Sequence, residues 1–282
     1  MSYEGKKVVR DGVTLNILDK GEGLPVLLIH GFPDSNYLWR HQIQALTKAG
    51  YRVIAPDLRG FGLSDRPEGV EQYLIPETIA DIAAILDELG VKEKAALVGH
   101  DWGAVLCWGM IDRMPENFSC FCPMSVGPAQ TYVNCTDIRQ KEMSWYILYF
   151  QMQGLPEQTL TANDWRLFRE WVRHHHEVDH WLEDLSREGA LTSGINWYRA
   201  NMQWLMEAGE EVSRVPTMGL WSDGDAYLVE ELVMAAGRYV QADWHYERVE
   251  NASHWMMLDR PDHVNRLLLN FLKQYHNEVL PK

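Results

Sequence analysis

Cationic side chains are in short supply in this sequence: 26 Lys and Arg stand against 40 Asp and Glu, a formal net charge of -14 over 282 residues. The longest basic run is the pair Lys6-Lys7. Nucleic-acid affinity comes mostly from neutralising phosphates, so the deficit argues against a nucleic-acid partner. Long apolar runs are missing as well. Nothing approaches the roughly 18 uninterrupted apolar residues of a spanning helix, and Met1 to Val9 is too polar for the core of a secretory signal, so no membrane partner is expected. The C-terminal Leu280-Pro281-Lys282 is not the Ser-Lys-Leu peroxisomal address, and the expected location is the cytosol. The four cysteines, Cys107, Cys120, Cys122 and Cys135, follow no regular framework and offer no second pair at zinc-ligand spacing. They are expected to be free thiols. Internal repeats and low-complexity segments are also absent. What remains is 46% hydrophobic, 11% aromatic and 23% charged residues, a globular, enzyme-sized profile.

Short apolar runs alternate with segments of helical period. Pro25 to Ile29, Tyr51 to Ala55, Lys94 to Val98 and the stretch around Phe121 to Ser125 read as strands buried on both faces. Between Pro76 and Gly90 the residues Ile79, Ile82, Ala83, Leu86 and Leu89 recur at three- and four-residue steps, which predicts a helix. Another is expected from Ala104 to Arg113, before Pro115. This is the rhythm of a doubly wound, mostly parallel α/β sheet. It breaks between about Pro128 and Val212, where several helices are expected without a strand, among them one with Trp165, Phe168 and Val172 on one face. It resumes with strands at Thr217 to Trp221 and Trp244 to Val249, then a helix in which Val264, Leu267, Leu268 and Phe271 align. A helical insert, 129–212, therefore interrupts a core of 1–128 and 213–282. The run His174 to His176 falls in that insert, where neighbouring residues of a helix point apart, so no metal site is expected from it.

Four segments could carry chemistry. In Val98-Gly99-His100-Asp101-Trp102-Gly103, glycines stand two residues either side of Asp101, between a strand and a helix. A sharp strand-to-helix turn needs that spacing, because its backbones approach too closely for a Cβ. It would hold Asp101 at the carboxyl edge of the sheet, where open α/β folds bind ligands. An Asp that merely caps the following helix would leave both glycines unexplained. His30-Gly31-Phe32-Pro33 follows the first clear strand, Trp221-Ser222-Asp223-Gly224-Asp225 follows a later one, and Ser253-His254-Trp255 follows the last. The order nucleophile, acid, histidine, each just after a strand, is that of a catalytic triad.

On these segments, and over nearly its whole length, the chain resembles the α/β-hydrolase superfamily, and within it the Asp-nucleophile branch of soluble epoxide hydrolases and haloalkane dehalogenases. The resemblance implies Asp101 as nucleophile, His254 as base and Asp225 as the acid, with Asp223 competing for that place. Asp225 is preferred because the family places the acid just before a short apolar run, here Ala226-Tyr227-Leu228. It implies an oxyanion hole from the backbone N–H groups of Phe32 and Trp102, an insert acting as a cap domain, a structural role for the Asp57 to Asp65 loop, and no cofactor or metal.

A carboxylate attacking an sp3 carbon forms an alkyl ester whose carbonyl belongs to the enzyme, which suits substrates that have none. An epoxide leaves as an alkoxide and needs strong hydrogen-bond donors, whereas a halide needs only weakly polar N–H groups. In the family two cap tyrosines serve the epoxide oxygen. Leu148-Tyr149-Phe150-Gln151 and Asn196-Trp197-Tyr198-Arg199 resemble the segments that carry them, so Tyr149 and Tyr198 are the expected pair, with Tyr132 and Tyr146 taken as packing aromatics. Fluoroacetate-type dehalogenases share His-Gly-Phe-Pro but typically carry Arg where this chain has Trp102. The expectation is an epoxide hydrolase acting on a small apolar epoxide and water. A haloalkane dehalogenase is the alternative, and a hydrolase-like receptor without turnover the remote one. The sequence assigns no oligomeric state.

Overall fold

The computed structural model describes residues 3–276, apart from 208 and 210. Its sheet has eight strands: β1 (Lys6–Arg10), β2 (Val13–Lys20), β3 (Pro25–Ile29), β4 (Arg52–Pro56), β5 (Ala95–His100), β6 (Phe118–Met124), β7 (Thr217–Gly224) and β8 (Trp244–Ser253). The order is β1-β2-β4-β3-β5-β6-β7-β8. Strands β3 to β8 run parallel, while β1 pairs antiparallel with β2, and β2 antiparallel with β4. Every residue of β3, β5 and β6 is buried, which is why these strands read as continuous apolar runs.

Twelve α-helices complete the described chain. Those of the first part are α1 (Arg40–Lys48), α2 (Ile75–Glu88) and α3 (Trp102–Arg113). Between β6 and β7 come α4 (Ala129–Val133), α5 (Ile138–Met143), α6 (Trp145–Tyr149), α7 (Leu155–Trp171), α8 (Val178–Leu185) and α9 (Ala190–Glu207). After β7 follow α10 (Glu230–Ala236), α11 (Met256–Asp259) and α12 (Pro261–Tyr275). Helix α1 packs against α12, and α2 against α3, so two helical layers enclose the sheet. None of the helices in the described residues is long and apolar enough to cross a membrane.

The β1–β2 hairpin is a difference from the sequence reading, which began with β3. Strand β1 buries only Val8, leaves Val9 exposed and carries Lys6, Lys7 and Arg10, so its apolar signal is two residues long and does not alternate. A second difference is the histidine run. It lies in the turn between α7 and α8, not in a helix, with Arg173 and His174 at positive φ.

Two registers position the site. Ile29 of β3 lies opposite Gly99 of β5, and Gly224 of β7 opposite Ser253 of β8, so the segments leaving each pair emerge side by side. The strand order reverses between β3 and β5, which makes a crevice at their carboxyl ends.

Candidate active site

Asp101 follows the last residue of β5 and takes φ 54 and ψ -126, a left-handed conformation that non-glycine residues rarely adopt. The close packing that holds it there has no room for a Cβ on either side. One at Gly103 would lie 2.2 Å from the carbonyl oxygen of Ile29, and one at Gly99 would lie 2.7 Å from both Gly103 O and Cys107 Sγ. The turn aims the Asp101 carboxylate back across the β3–β5 crevice, where the Phe32 N–H donates to its Oδ1 at 2.8 Å. His30 braces that loop. Its Nδ1 lies 2.9 Å from Gly31 O and its Nε2 3.0 Å from the N–H of Leu58, which fits the tautomer with the proton on Nδ1.

Asp225 and His254 leave the paired ends of β7 and β8. His254 Nδ1 stands 2.8 Å from Asp225 Oδ2, and its Nε2 faces Asp101 Oδ2 at 3.6 Å. Asp225 Oδ1 accepts the N–H groups of Tyr227 at 2.8 Å and Leu228 at 3.0 Å, which leaves Oδ2 for the imidazole. Asp223, the competing residue, is exposed, and among the described residues its carboxylate meets the Ala252 N–H at 3.4 Å. Geometry therefore separates the two aspartates that spacing alone left open.

Burial pulls the His254 pKa down, but the carboxylates of Asp225 and Asp101 outweigh it and hold the imidazole up at about 10. Burial likewise raises Asp101, yet the hydrogen bond and charge of His254 win, and its carboxyl lies below the usual 3.8. The resting pair is thus imidazolium and carboxylate. His100, 4.4 Å from the His254 ring, is driven by burial to about 3 and stays neutral, with its Nε2 3.0 Å from the carbonyl oxygen of His254.

Two tyrosines, Tyr146 and Tyr198, line both parts of the space at Asp101, and their rings stand 5.8 Å apart at 80°. Tyr198 is where the sequence puts it, on α9, with its ring 5.0 Å from Trp102. Tyr149 is not. Its hydroxyl pairs with Thr159 on α7, its ring packs 5.6 Å from the exposed Trp145, and it lines neither part of the Asp101 cavity. The reason is helix phase: on α6, Tyr146 and Phe150 face inward four residues apart, while Tyr149 shares the outer face with Trp145. Tyr132 also lines the cavity. The sequence reading took Tyr146 and Tyr132 for packing residues. The signal that could have promoted Tyr146 is its four-residue spacing from Phe150, but every residue from Trp145 to Phe150 is apolar or aromatic, so the helical period has no polar face to mark it. Burial, and next the charge of Asp101, push the hydroxyls of Tyr146 and Tyr198 far above their ordinary pKa. Both remain protonated donors.

Asp34, beside the oxyanion loop, was not singled out from sequence. It accepts the indole N–H of Trp181 from α8 at 2.7 Å and that of Trp255, next to His254, at 2.9 Å. The metal-like cluster in the described residues is His175, His176 and Asp259, whose ligand atoms lie within 4.8 Å of one another. Two of the three histidines thus converge, against the expectation drawn from a helix. The Glu177 N–H meets His175 Nδ1 at 3.2 Å, which leaves the proton on Nε2, where it bonds Asp259 Oδ1 at 3.1 Å. Its free lone pair is therefore spent on backbone, and the cluster works as a hydrogen-bonded clasp rather than a ligand set.

A strand–turn–helix elbow at Asp101, a facing N–H loop and a histidine–carboxylate pair, on the ends of the four parallel strands β5, β3, β7 and β8, are the features of an α/β hydrolase. A family model described as alpha/beta hydrolase fold matches residues 25–261, and the chain belongs to that family. Among its relatives, the AB hydrolase superfamily protein YfhM of Bacillus subtilis (strain 168) is 33% identical over 275 residues, covering 93% of this chain and 96% of that protein. Epoxide hydrolase A of Mycobacterium tuberculosis is 32% identical over 312 residues, covering 93% and 95%. The crystal structure of Bacillus megaterium epoxide hydrolase in complex with an inhibitor superposes with a TM-score of 0.84 at 27% identity, over 95% of this chain and 100% of that one.

Proposed function

We propose that this chain hydrolyses epoxides to vicinal diols through an ester on Asp101. The observation that carries the reading is the arrangement of that carboxylate: Oδ1 held by the Phe32 N–H, Oδ2 turned toward His254, and two buried tyrosine hydroxyls in the same cavity. The names of its relatives point the same way.

Oδ2 attacks a ring carbon and the C–O bond of the epoxide breaks. The alkoxide needs a proton at once, and Tyr146 and Tyr198 are the neutral donors beside it. Tyr146 replaces Tyr149 in this role. Esterification removes the charge of Asp101, one of the two anions that raise His254, so the imidazole pKa falls when a base is needed. The proton it sheds restores the tyrosine. Neutral His254 then takes a proton from water as the water oxygen adds to the ester carbonyl carbon, and the negative charge collects on Oδ1 against the N–H groups of Phe32 and Trp102. Collapse expels the diol oxygen, which takes that proton back from His254; Asp101 is left as a carboxylic acid carrying the oxygen of water, and its remaining proton passes to His254, which restores the carboxylate and the imidazolium.

The test is the intact mass of His254→Gln after exposure to epoxides and, in parallel, to alkyl halides. A gain equal to the whole epoxide, lost when Asp101 is also replaced, is the expected result. A gain equal to the halide less hydrogen halide, without an epoxide adduct, would make the enzyme a dehalogenase. No adduct from either set would overturn the ester mechanism.

A further inference from the structure

Asp101, Tyr146 and Tyr198 divide the cavity into two unequal lobes. The larger, about 80 Å³, is walled by aliphatic side chains, among them Val105, Val126, Leu228 and Leu232. The smaller, about 10 Å³, lies on the His254 side under Phe32, Trp171, Tyr227 and Trp255. A water needs about 10 to 15 Å³ of such space, so the smaller lobe admits one water and no alkyl group. It is also where the hydrolytic water has to stand, between His254 and Asp101.

Trp171 and Tyr227 close that lobe. Both also line an open hollow of about 400 Å³ on its far side, bounded further by Glu142, Leu167, Glu170 and Arg173. The two side chains are therefore the wall between hollow and lobe. The Trp171 indole N–H is buried with no hydrogen-bond partner among the described residues, and the Tyr227 hydroxyl donates at 2.9 Å to the Trp171 carbonyl, a backbone group that any substitution keeps. Removing the indole would open the wall while breaking no hydrogen bond.

We infer that the enzyme selects terminal, singly substituted epoxides, and that Trp171 is the residue that sets this selectivity. The inference rests on the epoxide reading above. One substituent lies in the aliphatic lobe and the unsubstituted CH2 faces the one-water lobe. A second substituent on the other ring carbon would have to enter that lobe, displace the water and press on the indole.

The experiment compares two isomers of equal size, 1,2-epoxyhexane and trans-2,3-epoxyhexane, as the ratio of their kcat/KM values in the wild-type chain, Trp171→Phe and Trp171→Ala. The isomers differ in intrinsic reactivity, but that difference cancels between variants. The ratio of internal to terminal turnover should rise at least about tenfold in Trp171→Ala, the scale on which a pocket discriminates one carbon, and by less in Trp171→Phe. If Trp171→Ala does not fold, Trp171→Phe and Trp171→Leu carry the same graded comparison. A ratio that stays at the wild-type value in every folded variant overturns the role of Trp171, and wild-type turnover of both isomers at like rates overturns the selectivity while leaving the epoxide reading intact. If the wild-type chain makes no diol from either isomer and His254→Gln gains no mass, both fall together.

Discussion

Tyr146 and Tyr149 stand three residues apart on one short helix, and they separate resemblance from geometry. Replacing Tyr146 and Tyr198 together by Phe should slow ring opening by about 10² to 10⁴, the usual contribution of a positioned acid, while Tyr149→Phe should leave turnover near the wild-type level. Rapid-quench measurement of diol formation checks both. The oxygen path is a second residue-scale prediction. A single turnover in ¹⁸O-water should label Asp101 rather than the diol, because the diol oxygen derives from Oδ2; mass analysis of the Asp101 peptide reads it. The pH dependences of the two steps should differ. Asp101 is ionised below the usual 3.8, so alkylation should not fall between about pH 8 and about pH 5. Ester decay needs neutral His254 and should slow as pH falls through the lowered pKa of the esterified state.

At the scale of elements, strands buried on both faces announced themselves, as did helices α2, α3 and α12, whereas the inward face of α6 did not. Strands β3, β5 and β6 carry no polar alternation because neither face meets water, and the two-glycine spacing around Asp101 is forced by contacts that no Cβ could survive. Those features are local, so the sequence displays them. The face that α6 turns inward depends on partners from α7, α9 and the oxyanion loop, none of which a local window contains. Helix α7 is harder still, since its backbone leaves helical geometry from Ala162 to Trp165. The choice between Asp223 and Asp225 needed the β7–β8 register for the same reason. Helix α9 offers its own test. A Cβ on Gly194 would lie 2.6 Å from the buried ring of Phe32, the residue whose N–H holds Asp101. Gly194→Ala should therefore destabilise the protein by about 1 to 3 kcal/mol and also slow both chemical steps, by displacing Phe32. Thermal melting and single-turnover rates measure the two effects; a variant with lowered stability and unchanged rates would detach the helix from the oxyanion hole.

At the scale of the whole molecule, the helices between β6 and β7 are tied to the rest near the base and along α9. Near the base, Trp181 bonds Asp34, His175 bonds Asp259, and Arg40 meets Glu177 at 2.5 Å. Along α9, Tyr73 bonds Ser193, and the Asn201 side chain accepts the N–H of Ile75. Asp34 makes the first set of ties responsive to pH. Burial raises its carboxyl from 3.8 to about 7, so the folded state binds this proton more tightly than the unfolded chain. Its contribution to stability is full below about pH 3.8 and is lost as pH rises through about 7. Asp34→Asn should therefore flatten the fall in melting temperature over that window relative to the wild-type chain, and parallel curves would show that Asp34 does not titrate there. The sheet order has a consequence for how such a protein comes into being. The base arrives on β8, the last strand in sequence and the outer edge of the sheet, joined only to β7. On the proposed ester mechanism, a chain still being synthesised, with β3 and β5 already paired, would own the attacking carboxylate and the Phe32 N–H that holds it but no means of releasing what it captured. On that mechanism, completing β8 would convert a scavenger that can act once into a catalyst that can act repeatedly.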